Sequence, residues 1–235
     1  MRFPTRLLAA HLAFGALLWA GYVVVIALFT VAVAIIGKVT GSIWELAAQL
    51  PRIYVLFFGV SLVREYLPMY VAHGQTRRRF AEHAAATIAV FAPCMAALMA
   101  VGYLIENGYH ALAGWPQGLE RPHLFESTGQ AGLVFSEYLI EFLAWATAGA
   151  LIGAGFYRWR GGGLLLTLPA GIALVLVAAG ATGSELRMPF VAKLLAFRVD
   201  LPDSLPVTYA VGLGVFLAGL ALTWPIIRDV PLRNR

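Results

Sequence analysis

The sequence predicts an all-α, polytopic membrane protein. The expected architecture is six transmembrane helices, an amphipathic N-terminal helix, a short basic helix after the second span and an interfacial or re-entrant helix before the last. Three observations predict it. Of 235 residues, 60% are hydrophobic and only 12% charged, with a mean hydropathy of +0.79; soluble domains carry about 25% charged residues. Several apolar runs reach the roughly 20 residues that cross a bilayer as a helix. The basic residues gather at the ends of those runs, and mostly on alternate ends.

The first run, Ala13 to Ile36, follows MRFPTRLLAAHL, a short amphipathic lead-in from Arg2 to His11. It is too long for the apolar core of a cleaved signal, so it is read as a retained span. The second, Leu46 to Tyr70, is the least apolar, because Pro51, Arg52, Arg64 and Glu65 fall in it. The third is Ala84 to Ile105, the fourth Leu133 to Tyr157, the fifth Leu164 to Ala181 and the sixth Val207 to Ile227. Residues 106–131 hold Gly108, Gly114, Pro116, Gly118 and Pro122 and read as a loop. Met188 to Phe197 is apolar with one lysine and too short to span, which predicts either an interfacial or re-entrant helix or an ordinary loop helix. No repeat or composition shift divides the chain, so residues 1–235 form one domain.

Alternating the spans puts eleven Lys and Arg on one side and six on the other. The excess assigns both termini, the 71–83 loop and the 158–163 turn to the cytoplasm. The net charge of +5 is accounted for by this partition and does not point to nucleic acid. Cys94 is the single cysteine, which excludes an intrachain disulfide and a cysteine-held cofactor.

Several chemistries lack their residues. A P-loop needs Gly-rich sequence ending in Lys-Ser or Lys-Thr to hold phosphates, but Lys38 precedes Val39 and Lys193 precedes Leu194. There is no HExxH, no histidine lies mid-span for a haem, and no GxSxG nucleophile elbow occurs. His110 and His123 share the 106–131 loop with Glu106, Glu120 and Glu126, and are expected to be solvated there rather than to hold a metal. No cofactor is expected, and the chain is expected not to be an enzyme. Glu137 and Glu141 lie one helical turn apart on one face of the fourth span. They either line a polar path or divide, with Glu137 at the outer interface and only Glu141 buried and paired to a neighbouring helix; the second reading is preferred, since an unpaired carboxylate in a bilayer costs about 2.5–3.5 kcal/mol. Gly149 and Gly153 form a small-xxx-small pair for close helix contact, within one subunit or across a dimer.

The most basic segment is HGQTRRRFAEH, His73 to His83. Pro68 bends or ends the second span, Gly74 permits a sharp turn, and Thr76 N-caps a helix over Arg77 to His83. Arg77, Arg78 and Arg79 offer planar donors to carboxylates of a partner, or anchor the loop to lipid headgroups.

Gly74, Gln75, Thr76, Arg77, Arg78, Arg79 and Phe80 resemble the G-x-T-R-R-x-F signature that follows the second span in small bacterial ABC-type exporter permeases of the type-2 class. The lead-in, the span count, the YLIE acidic end of the third span and GAGFYRWRGGG after the fourth agree with it. The resemblance implies that residues 74–80 form a coupling helix seated on a cytoplasmic ATP-binding subunit. It also implies two such subunits per pair of permeases, the 1–11 helix along the inner surface, and residues 188–197 as the outer re-entrant helix. The chain would then be a permease subunit of an exporter in the bacterial plasma membrane, a homodimer in contact with lipid. The alternatives are a proton-coupled secondary transporter using Glu141 and a membrane sensor or immunity protein.

Overall fold

A computed structural model describes residues 5–184 and 204–230, and these are helical apart from short connections and one long loop. The helices are α1 (Thr5–Ile36), α2 (Ile43–Ala47), α3 (Gln49–Ser61), α4 (Leu67–Ala72), α5 (Arg77–Ala113), α6 (Ala131–Trp159), α7 (Gly161–Thr182) and α8 (Leu205–Arg228), with a π-helical turn over Leu62–Tyr66 joining α3 to α4. Six continuous helical stretches are long and apolar enough to cross a membrane: His11–Ile36, Ile43–Ala72, Arg77–Ala113, Ala131–Trp159, Gly161–Thr182 and Leu205–Arg228. Each contains or overlaps one predicted span, so the chain is a multi-pass membrane protein. The predicted helix at 188–197 and the first residues of the lead-in lie outside the described residues. From Thr5 on, the lead-in is the opening of α1 itself, with no break before the span.

The bundle is built around α6. Its sequence is rich in Ala and Gly, and α3, α5, α7 and α8 all pack on it. Gly59, Gly149 and Gly153 let backbones touch. A Cβ on Gly149 would meet the Leu56 carbonyl, one on Gly59 the Ala146 carbonyl, and one on Gly153 the Val60 carbonyl. The small-residue pair of the fourth span therefore serves contact with α3 inside the subunit. Around this seam lie Phe58, Phe91, Tyr103, Tyr138 and Phe142, all at most 2% exposed, with Phe58 stacked on Phe91 at 3.9 Å between ring centroids.

One alternative left open by the sequence is resolved and one reading is corrected, each with a clear physical cause. Pro68 does not end the second span: lacking an N–H and crowding the carbonyl four residues back, it would break an α-helix, but the widened turn at Leu62–Tyr66 takes up the strain and the helix runs on to Ala72. The third span does not stop at Ile105 either. Residues 106–113, read as loop because of Gly108, continue α5 to Ala113, where Gly114 at φ 68° closes the helix. Burial of Glu106 and His110, at 0% and 1% exposed, outweighs the weak helix propensity of one glycine.

One end of the bundle is basic. Arg77 Nη2 donates to the Val230 carbonyl at 2.7 Å, and Arg158 Nη1 to the carbonyls of Pro225 and Ile226 at 3.1 Å each, which brings the start of α5 and the ends of α6 and α8 together. The opposite end is covered by the loop 114–130, hereafter the lid.

Candidate functional site: a basic corner and a buried charge network

At the basic end, the chain turns from α4 into α5 through four residues. Gly74 sits at φ 72°, in the left-handed region that glycine enters without penalty. The turn is closed by Gly74 N–H to the Val71 carbonyl and Gln75 N–H to the Tyr70 carbonyl, both at 2.9 Å. Thr76 then caps α5, its hydroxyl accepting from Arg79 N–H at 3.2 Å. The predicted cap and turn are both present. The stretch Arg77 to His83 is helical but not a separate short helix; it is the first two turns of α5.

The predicted residues of this corner divide by role. Phe80 is 2% exposed and packs edge-on against Tyr70 at 5.4 Å, so it anchors the corner from inside. Arg77 is turned toward the C-terminal end of α8. Arg78 and Arg79 face outward: the Arg78 side chain is 82% exposed, with only an i,i+4 contact to Glu82 at 3.1 Å, and Arg79 is exposed. Thr76→Ala is expected to destabilise the protein by about 1 kcal/mol, the usual value of a lost N-cap, read as a lowered unfolding midpoint in detergent.

The second cluster is buried beneath the lid. Arg52 Nε and Nη2 donate to Glu141 Oε2 and Oε1 at 2.8 and 3.0 Å, with both side chains 2% exposed. Ser184 donates to Glu141 Oε1 at 2.6 Å, and the Arg52 guanidinium lies 5.6 Å from the Tyr138 ring centroid. Glu141 is thus the buried, paired acid expected. Glu137 is not at an exposed interface. It is 0% exposed, accepting from His123 Nδ1 and Leu124 N–H, each at 2.7 Å. The two carboxylates do not line an open path. Each is saturated by its own partners.

Of the charged and ionisable residues read as solvated, Glu106, His110 and His123 are buried, which corrects that reading, while Glu120 and Glu126 are exposed as expected. Glu45 accepts from Glu120 N–H at 2.9 Å and lies 3.4 Å from His123 Nε2 and 3.8 Å from Arg121 Nε. Burial alone would depress the His123 pKa, but the flanking carboxylates Glu137 and Glu45 raise it to about 9. Glu106 accepts from Ser42 Oγ at 2.5 Å and from the N–H groups of Ile43 and Trp44 at 2.9 Å, placing an anion at the start of α2. Among the described residues, no group of three His, Cys, Asp or Glu side chains is arranged to hold a metal.

Reading the sequence alone missed Arg52 as the partner of Glu141 and Glu45 as the anchor of the lid. A signal for the first existed: one arginine and one acid within apolar spans each demand a counter-ion. No local pattern marks Glu45. Comparison with protein families, with curated proteins and with solved structures finds no match for this chain.

Proposed function

We propose that the chain is the transmembrane permease subunit of an ATP-binding-cassette exporter, moving an unidentified substrate with ATP hydrolysed by a separate subunit. In this reading it pairs with a second copy and with two ATP-binding subunits. It resides in the bacterial plasma membrane with both termini cytoplasmic, and has no catalytic residue or cofactor of its own. The observation that carries the reading is the corner at residues 74–80. An outward pair, Arg78 and Arg79, stands at the capped start of a helix that runs the full depth of the bundle. Anchoring by Phe80 and the Tyr70 ring makes that corner stiff enough to receive a push. Planar guanidinium groups suit carboxylates lining a groove on a soluble partner.

A proton-coupled carrier using Glu141 is less well supported. Both oxygens of that carboxylate are engaged, by Arg52 and by Ser184, in a pair that holds the charge in place.

The test is co-purification from native membranes, with mass-spectrometric identification of any P-loop ATPase recovered. Arg78→Glu with Arg79→Glu is expected to lose that ATPase while the permease stays folded, because both side chains are exposed and the Arg78 contact with Glu82 lies at the surface. An ATPase retained at full yield by the charge-reversed chain, or none recovered with the unaltered one, would refute the reading. Labelling of a cysteine at position 76 from outside intact cells would refute the assigned orientation.

A further inference from the structure

The lid is an irregular 17-residue segment, 114–130, yet it is tied down at specific points rather than by apolar bulk alone. The Gly118 carbonyl accepts from Ser42 N–H at 3.0 Å, and Glu120 N–H donates to Glu45 at 2.9 Å. Leu124 N–H donates to Glu137 at 2.7 Å. Between the last two stands the His123 ring, its Nδ1 on Glu137 and its Nε2 3.4 Å from Glu45. One imidazole therefore joins a carboxylate of α2 to a carboxylate of α6. Phe125 stacks on that ring at 4.6 Å and meets Tyr103 of α5 edge-on at 5.5 Å.

We propose that His123 is the bolt of a proton-sensitive latch: as an imidazolium it holds the lid to Glu45 and Glu137, and loss of its proton frees the lid from the bundle. The proposal does not depend on an ATPase partner.

Nδ1 is hydrogen-bonded to Glu137, whereas Nε2 faces Glu45 at 3.4 Å as an ion pair without a hydrogen bond, so the link to Glu45 rests on the ring's positive charge, which only the protonated ring carries. A neutral ring can donate to one carboxylate at most, and it turns a lone pair toward the other. The surroundings sharpen this. On the α6 side Glu141 lies one turn beyond Glu137, and its charge is met by Arg52 of α3. On the α2 side Arg121 stands 3.8 Å from Glu45 without forming a hydrogen bond, and Glu120 contributes only its backbone. From α5, Tyr103 reaches the site through Phe125, and Glu106 is occupied at the start of α2. Arg121 thus partly covers Glu45 when His123 is neutral, but no cation among these groups replaces His123 at Glu137. The folded-state pKa of about 9 lies above the ordinary 6.5, so the bridge stabilises the closed lid fully below pH 6.5 and is lost as pH rises through about 9.

Hydrogen exchange on the full-length protein in detergent tests this, with rates corrected for the intrinsic effect of pH. In the unaltered chain, protection across residues 118–126, which include the bonded amides of Glu120 and Leu124, is expected to fall about tenfold or more between pH 7 and pH 10. Residues 142–156 of α6 should keep theirs. His123→Gln should show the low lid protection already at pH 7, with no further loss at pH 10. Lid protection that stays level across this range in the unaltered chain would overturn the proposal. So would a loss shared equally by α6, since that would be general unfolding rather than release of a latch.

Discussion

Glu141→Gln is expected to destabilise the folded protein by about 3–5 kcal/mol, the usual consequence of removing one partner from a buried ion pair. The reason lies in what remains. Arg52 is 1% exposed, so the loss of Glu141 leaves a buried cation with one neutral amide, the Tyr138 ring and the more distant Glu137 carboxylate, itself held by His123. Arg52→Leu should be similarly damaging, because it strands the carboxylate with Ser184 alone. The double substitution Arg52→Leu with Glu141→Leu removes both charges and should recover most of the loss. Unfolding midpoints of the four proteins in one detergent form a double-mutant cycle that isolates the pair. Single substitutions costing less than about 1 kcal/mol would show that the pair is hydrated in the native protein.

Gly149→Val is expected to cost about 3 kcal/mol or more, through overpacking rather than lost charge. The added Cβ would occupy the place of the Leu56 carbonyl, a backbone atom that cannot swing aside as a side chain tip can. The second span would have to withdraw from α6 along its length, and the Gly59 and Gly153 contacts would open with it. Gly108→Ala is the matched control. That glycine is helical with open space around it, so alanine there should be neutral or stabilising by up to about 1 kcal/mol. Yield of folded protein and the unfolding midpoint distinguish the two. A Gly149→Val protein as stable as the control would mean the α3–α6 seam is looser than described.

The six spans were legible because length and apolarity suffice to set them. The corner was legible because Gly74 and Thr76 have short-range roles, a left-handed turn and a cap, that depend on few neighbours. The other end was harder. Counting Lys and Arg by side treats Arg52 and Arg121 as residues that mark a water boundary, and Glu106, His110 and His123 read as solvated loop residues, yet each of these side chains is almost wholly buried. For Arg52 and Glu106 the burial depends on contacts between residues 62 to 89 positions apart, Trp44 with Glu106 and Arg52 with Glu141, and no local window along the chain contains both partners. Gly108 misled for a related reason: a local breaker was weighed without the tertiary burial that overrides it.

The uninterrupted course of α5 has a mechanical consequence. At 37 residues it is a rod roughly 55 Å long, taken at 1.5 Å per residue. Thr76 stands just before its first turn, while Glu106 near the far end grips the start of α2 through two backbone amides. Pro93, near the middle of α5, removes one hydrogen bond of the helix ladder and is the natural point for a bend. Each degree of inclination of the whole helix shifts one end relative to the other by about 1 Å, so a tilt of α5 without a bend at Pro93 would move its grip on α2, and through Glu45 the lid.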